Sequence, residues 1–266
     1  MVKQFDTIHI TERSSGVAQI TMARPKVFNA FDEVMIGELD VAFTELSHDS
    51  SVRVIVLAGE GKHFSAGADL QWMQRASKAT LEWNVSDARR FAEMLNRIAT
   101  CPKPTLARIQ GVALGGGVGL TCACDMAVAT EDASFAVSEA KFGILPAVIG
   151  PYVVNAVGKR MARYLALSTT RINAHSALSI GLVQRVVPQE SLDLEVDSLV
   201  HDLVAGGPQA QQEIKKLMDQ LAVSTVTPEV QELTALTIAR VRGTDEAREG
   251  FAAFLEKRPA TWIPKN

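Results

Sequence analysis

Phe64-Ser65-Ala66-Gly67-Ala68-Asp69-Leu70 and, further along, Gly111-Val112-Ala113-Leu114-Gly115-Gly116-Gly117-Val118-Gly119 are the two stretches that decide how this chain is read. Each follows an apolar run and has no bulky side chain at its centre, so each can bring backbone N–H groups close to a ligand. Two such loops together can build an oxyanion hole.

Outward from these loops, the hydrophobic pattern predicts a repeated strand-loop-helix architecture. Residues 8–13 and 17–22 flank Ser14-Ser15-Gly16 and read as two strands joined by a turn. Asn29 is expected to open an amphipathic helix whose apolar positions are Phe31, Val34, Met35, Leu39, Ala42, Phe43 and Leu46. Residues 52–58 form a buried-strand pattern that runs into Gly59-Glu60-Gly61 and the first loop. A helix over roughly 85–99 is predicted to bury Ala88, Phe91, Ala92, Leu95 and Ile98. Residues 104–109 are a short strand before the triple glycine, 119–124 a buried helix, and 125–129 and 134–137 further strands. After Val187-Pro188, the segments 190–205, 208–222, 228–242 and 244–257 are all helical in pattern. The reading is an α/β core over 1–189 followed by a helical region over 190–266.

Composition excludes several classes. A chain of 266 residues with 47% hydrophobic and 21% charged residues is built to fold around a large core. Its formal charge of -3 gives no electrostatic reason to expect nucleic acid or a membrane surface as partner. Cys101, Cys122 and Cys124 do not make a disulfide framework, and their apolar surroundings suit buried, inert thiols. The opening Met1-Val2-Lys3-Gln4 lacks the apolar core of a signal peptide, and the longest apolar runs are broken by glycine or by Pro146 and Pro151, so a cytoplasmic protein is expected. No cluster of histidines and carboxylates suggests a metal, and no nucleophile elbow suggests a hydrolase.

The chemistry starts at Gly115-Gly116-Gly117, between a strand and a helix, where unpaired N–H groups and the helix dipole favour a developing negative charge. Ala66-Gly67-Ala68 is the second donor loop, with Asp69 as cap of a helix beginning at Leu70. Glu139 lies in Val137-Ser138-Glu139-Ala140-Lys141-Phe142-Gly143; taken alone, it would read as a solvated surface residue. His63, beside the first loop, reads as a packing or surface residue before a catalytic one.

These stretches, with others, resemble the enoyl-CoA hydratase/isomerase (crotonase) family over essentially the whole chain. Ala23-Arg24-Pro25-Lys26-Val27-Phe28-Asn29-Ala30 resembles the family's Asn-Arg-Pro segment, and Phe64-Ser-Ala-Gly-Ala-Asp-Leu70 its Ala-Gly-Ala-Asp loop. Ile109-Gln-Gly-Val-Ala-Leu-Gly-Gly-Gly117, followed by Cys124-Asp125, resembles its triple-glycine element, and Glu249-Gly-Phe-Ala-Ala-Phe254-Leu-Glu-Lys257-Arg-Pro259 its closing helix.

The resemblance implies a crotonase-like spiral of ββα turns, a C-terminal helical region that builds a homotrimer or hexamer, and an acyl-CoA thioester as partner. Coenzyme A would arrive as part of the substrate, with no permanently bound cofactor. By the same resemblance the N–H groups of Ala68 and Gly116 hold the thioester oxygen and Glu139 moves the proton. Ala66, Gly67, Asp69 and Leu70 line the adenine and pantetheine path, Lys26, Val27 and Phe28 lie nearby, and Phe254 and Lys257 close over the nucleotide from the same or a neighbouring subunit.

One position departs from the family pattern: hydratases with two catalytic glutamates carry one where this chain has Gly119. A single carboxylate fits a hydratase in which Glu139 both activates water and protonates the α carbon. It also fits a Δ3,Δ2-enoyl-CoA isomerase, or a non-catalytic acyl-CoA-binding or RNA-interacting homologue. The segments Ser65–Met73 and Ala147-Val-Ile-Gly-Pro-Tyr152-Val-Val resemble the bacterial methylglutaconyl-CoA and carboxygeranoyl-CoA hydratase branch of leucine and isoprenoid breakdown. Hydration of a branched or bulky 2-enoyl-CoA is therefore expected, with Gly119 providing room for the acyl group and Ala147-Val148-Ile149 reshaping its pocket. Arg75, Lys78, Arg89 and Arg90 are read as a solvated helix face, without a role toward a second acyl carboxylate.

Overall fold

The computed structural model describes residues 5–221, 227–242 and 244–264. Of the sequence readings, the opening Met1–Gln4 and residue 222, the end of the segment 208–222, lie outside these described residues.

A six-stranded sheet runs β1–β2–β3–β4–β6–β9, formed by Ile8–Ser14, Val17–Met22, Val54–Gly59, Thr105–Ile109, Met126–Thr130 and Arg185–Val187. Only β1 and β2 are antiparallel; each later strand adds in parallel to the one before it. A second sheet holds β5 (Val112–Leu114), β7 (Ser134–Ala136) and β8 (Ile172–Asn173). Two isolated parallel bridges, Phe31 to Ala68 and Ser65 to Ala113, link earlier turns of the chain to that second ladder. Each turn of the chain thus contributes backbone to both ladders before its helix returns, which is a spiral. Successive turns lie about 4.8 Å apart, so the loop at Ala68 and the loop at Gly116 become neighbours although the sequence separates them.

The helices are α1 (Glu33–His48), α2 (Leu70–Ala76), α3 (Leu81–Ala99), α4 (Gly116–Ala123), α5 (Gly150–Ser168), α6 (Ala174–Ser179), α7 (Leu192–Ala205), α8 (Pro208–Gln220), α9 (Pro228–Arg242) and α10 (Asp245–Glu256). All six residues of β3 are buried, because both faces of the sheet are covered. Inside the spiral, Phe31, Phe43, Phe64 and Phe135 are fully buried, each contributing about 1.5–3 kcal/mol of hydrophobic stabilisation. On the other face, Val17, Val54, Val56, Leu106 and Val128 pack against Leu192, Val196 and Val200 of α7. Arg13 and Arg108 both bind Asp193 at 2.8 Å, tying the start of α7 to β1 and β4.

Three sequence expectations need correction. Asn29 does not open α1: the cap is Asp32, whose carboxylate accepts from the N–H groups of Val34 and Met35. Asn29 is instead fully buried in the left-handed region at φ 53°. Helix α3 begins at Leu81 with Thr80 as cap, and it is rotated so that Asp87, Met94, Leu95 and Ile98 face inward while Ala88 and Ala92 face solvent.

Candidate active site

Both glycine loops open onto the same place. In the parallel bridge at Ala68, Phe31 N–H donates to the Gly67 carbonyl at 2.8 Å and Asp69 N–H to the Phe31 carbonyl at 2.9 Å. Along an extended chain the intervening amide points the opposite way, so the Ala68 N–H faces away from that bridge. Gly116 is the first residue of α4, whose leading N–H groups have no partner within the helix. Gly115 sits before it at φ 50°, with its N–H donated to the Ala136 carbonyl at 2.7 Å.

The glycines are required by contact. A Cβ on Gly67 would overlap the Leu114 carbonyl oxygen, and one on Gly116 would overlap the ring of Phe31. The two loops therefore pack backbone to backbone. Asp69 fixes the first loop from below: its side chain accepts from Gln71 N–H at 2.8 Å and from Trp72 N–H at 3.2 Å, and Arg24 binds it at 3.0 Å. Burial pushes the Asp69 carboxyl up, but the two N–H groups and Arg24 outweigh it and hold the group below the usual carboxylate range. The same guanidinium reaches Asp32 at 3.2 Å, so one cation joins the caps of α1 and α2.

Two cavities meet at these loops. An outer one of about 560 Å³ is lined by Val27, Phe28, Ala66, Asp69, Leu70 and Phe142, among others. An inner one of about 210 Å³ is walled by Phe31, Trp72, Phe91, Pro146, Val148 and Ile149, among others. Ala68, Gly116 and Glu139 line both, and so stand where the two join. A larger hollow of about 740 Å³ against β1 and the end of α1 shares no residue with the glycine loops.

Glu139 begins a short 3-10 turn, Glu139–Phe142. Its Oε1 lies 3.1 Å from where a Cβ on Gly115 would stand, and its buried Oε2 has no hydrogen-bond partner among the described residues. Burial pushes the carboxyl up, against weaker help to the ionised form from its own backbone N–H and that of Ser138. A carboxylate raised in this way, at the junction of two largely apolar cavities, is suited to accept and return a proton.

The family model described as Enoyl-CoA hydratase/isomerase matches residues 12–265. The chain belongs to that family. Among enoyl-CoA hydratase/isomerase relatives, it is 32% identical over 262 residues to the crotonyl-CoA hydratase of Syntrophomonas wolfei, covering 96% of this chain and 98% of the relative. The short-chain-enoyl-CoA hydratase of Clostridium acetobutylicum is 31% identical over 258 residues, covering 94% and 95%. The structure of an enoyl-CoA hydratase from Shewanella pealeana superposes with a TM-score of 0.93 at 37% identity, covering 97% of both chains. The fold of this enoyl-CoA hydratase/isomerase family member is thus crotonase-like, α/β with a helical C-terminal region.

Not every residue read from the sequence is brought to the cavities. Lys26 is exposed and outside the lining of both, whereas Val27 and Phe28 line the outer one. Gly67 shapes the loop without lining either of these cavities. Phe254, 82% exposed on α10, and Lys257 stand away from the site within this chain. Gly119 overturns an expectation: it lines neither cavity, and the room above it is filled by the side chain of Ile149. His63 holds structure, its Nδ1 3.3 Å from Val112 N and its ring edge-on to Phe28 at 4.8 Å. Arg75 pairs with Glu33 and Arg90 with Asp87, while Lys78 and Arg89 are exposed.

Sequence reasoning missed the aromatic wall. Phe31 and Phe91 lie 5.2 Å apart and Trp72 lies 6.2 Å from Phe31. Helical spacing reads such residues as core, and only the spiral shows that the core surface they make faces a cavity. Among the described residues no helix is long and apolar enough to cross a membrane, and no group of three His, Cys, Asp or Glu is placed to hold a metal.

Proposed function

We propose that the protein is an enoyl-CoA hydratase that adds water to, or removes it from, a compact branched 2-enoyl-CoA of the methylglutaconyl-CoA type. One observation carries the reading: Ala68, Gly116 and Glu139 converge where the outer and inner cavities join. The thioester carbonyl sits against the two N–H groups, with pantetheine in the outer cavity and the acyl chain in the inner one. Glu139 takes a proton from water as the oxygen attacks C3, and the electron pair moves into an enolate held by the two donors. The same carboxyl then returns the proton to C2, so one water is consumed and Glu139 is regenerated. Each donor of this kind lowers the barrier by about 3 kcal/mol.

The substrate supplies coenzyme A, and no permanently bound cofactor enters these steps. Ala66, Asp69 and Leu70, with Val27 and Phe28, flank the coenzyme path. Lys26, Phe254 and Lys257 act on the nucleotide end in an assembled homotrimer or hexamer, built through the helical region 190–266 on a core of 1–189. A cytoplasmic setting and a place in leucine breakdown complete the reading, the latter resting on the loop resemblance. Among the described residues Glu139 is the one ionisable side chain lining the inner cavity, so no cation there would meet a distal acyl carboxylate.

Gly119 favours a second reading, because Δ3,Δ2 double-bond migration needs only one carboxylate. Absorbance of the conjugated thioester separates the two. A hydratase destroys conjugation in 2-enoyl and 3-methylglutaconyl substrates, and an isomerase creates it from 3-enoyl-CoA. Silence on all three with retained coenzyme A binding would overturn both readings.

A further inference from the structure

Gly119 lies three residues after Gly116 in α4, on the side of the helix that carries the donor. That side is not open. A Cβ on Gly119 would overlap Ile149 Cγ2 and stand 2.9 Å from Ile149 Cβ, with Leu95 Cδ1 next at 3.7 Å. Ile149 is only 2% exposed, yet it lines the inner cavity together with Pro146, Ala147 and Val148. Its backbone is held on both sides: Gly150 N–H donates to the Pro146 carbonyl at 2.8 Å, and Val153 N–H to the Ile149 carbonyl at 3.1 Å. The side chain therefore has a fixed base and one well-packed seat, against bare helix backbone.

We infer that Ile149 is the specificity-determining residue of the acyl cavity, its side chain seated in the space that Gly119 leaves and setting how far an acyl chain can enter. The inference rests on the acyl-CoA reading above. The two residues form a steric couple. Gly119 has no side chain because Ile149 needs the volume, and Ile149 in turn bars any second carboxylate from position 119. The acyl group consequently meets branched hydrocarbon at this wall, which suits a short, branched chain and rejects a long straight one. A β-branched residue is stiff about χ1, so the wall does not swing aside for a longer chain.

The test is a chain-length ladder. With crotonyl-, hexenoyl- and decenoyl-CoA, Ile149→Ala is expected to raise the decenoyl-to-crotonyl ratio of kcat/KM by about tenfold, as three side-chain carbons leave a hydrophobic wall. Gly119→Ala is expected to lower the melting temperature sharply alone, to be tolerated beside Ile149→Ala, and there to move the ratio back toward that of the unaltered protein. An unchanged ratio in Ile149→Ala, or Gly119→Ala equally harmful in both backgrounds, overturns the inference. Should Ile149→Ala fail to fold, Ile149→Val, which removes one methyl, is expected to shift the ratio in the same direction by a few-fold. Dissociation constants for butyryl-, hexanoyl- and decanoyl-CoA read the same discrimination without turnover. No turnover on any thioester would therefore defeat the hydratase reading alone, while a Kd ladder that Ile149→Ala or Ile149→Val leaves unmoved would defeat this one.

Discussion

Glu139 and Gly115 approach so closely that a methyl group on Gly115 would stand 3.1 Å from Glu139 Oε1. The carboxyl is thereby laid against the residue that precedes Gly116, so the proposed base and one of the two proposed donors are held side by side. Glu139→Gln keeps the shape and removes the proton carrier. It is expected to cut kcat by about 10²–10⁴-fold while leaving the Kd for a saturated acyl-CoA within a few-fold, checked by stopped absorbance assays and by calorimetry.

Burial raises Glu139, and the proposed base must be ionised. The kcat/KM profile is therefore expected to climb with pH through an apparent pKa above the ordinary glutamate range, then level off. The stability effect has the opposite sense: a raised native pKa favours the protonated fold, so this contribution is present at low pH and lost as pH rises through the native value. A rate profile whose acid limb falls at an ordinary glutamate pKa would contradict the assignment.

Asp69 carries the first loop and the start of α2 together. Asp69→Ala is expected to cost about 1–2 kcal/mol in urea unfolding through the lost cap, and to lower kcat/KM by more than that, since Ala68 precedes the cap directly. Because its native pKa is depressed, its stabilisation holds above the unfolded-state pKa and fades as pH falls through the native one, which an acid titration of the unaltered protein would show alongside the variant.

Asn29 is fully buried, and its amide accepts from Arg24 N–H at 2.9 Å and donates to the carbonyls of Glu60 at 2.9 Å and His63 at 2.8 Å. Asn29→Ala leaves those groups without partners at a left-handed position. A loss of about 2–4 kcal/mol is expected, read as a lower urea midpoint with an unchanged m-value.

Helix α10 leaves Phe251, Phe254 and Leu255 exposed at 62%, 82% and 77%. If these residues meet a neighbouring subunit, Phe254→Asp should lower the mass measured by light scattering and weaken coenzyme A binding together. An unchanged mass would remove α10 from the assembly surface.

What the sequence made legible was local. The two glycine loops, the Asp69 cap and the strands at 105–109, 126–130 and 134–136 depend on neighbouring residues, and the pattern of small, apolar and capping residues displays them. What it hid was tertiary. The helix start at Asn29 was misplaced because that amide is satisfied by residues in two other segments, so its chemistry is that of a strut and not of a cap. Gly119 looked like vacated space, since nothing near it in the chain announces that Ile149 arrives from the start of α5. The rotation of α3 was missed because Asp87 is buried beside Arg90, a polar residue standing where the periodicity calls for an apolar one.

The junction of the two cavities has a consequence for how such a protein can change. The proposed donors Ala68 and Gly116 belong to the stacked turns of the spiral, whereas much of the wall of the inner cavity comes from the single stretch 144–149 that leads into α5. On the proposed reading, charge stabilisation and most of the chain-length selectivity are therefore written in separate parts of the chain. Substitutions or grafts in that one stretch can retune which thioester is accepted while the charge-stabilising scaffold is inherited intact, so the lineage can diversify its substrates without reinventing its chemistry.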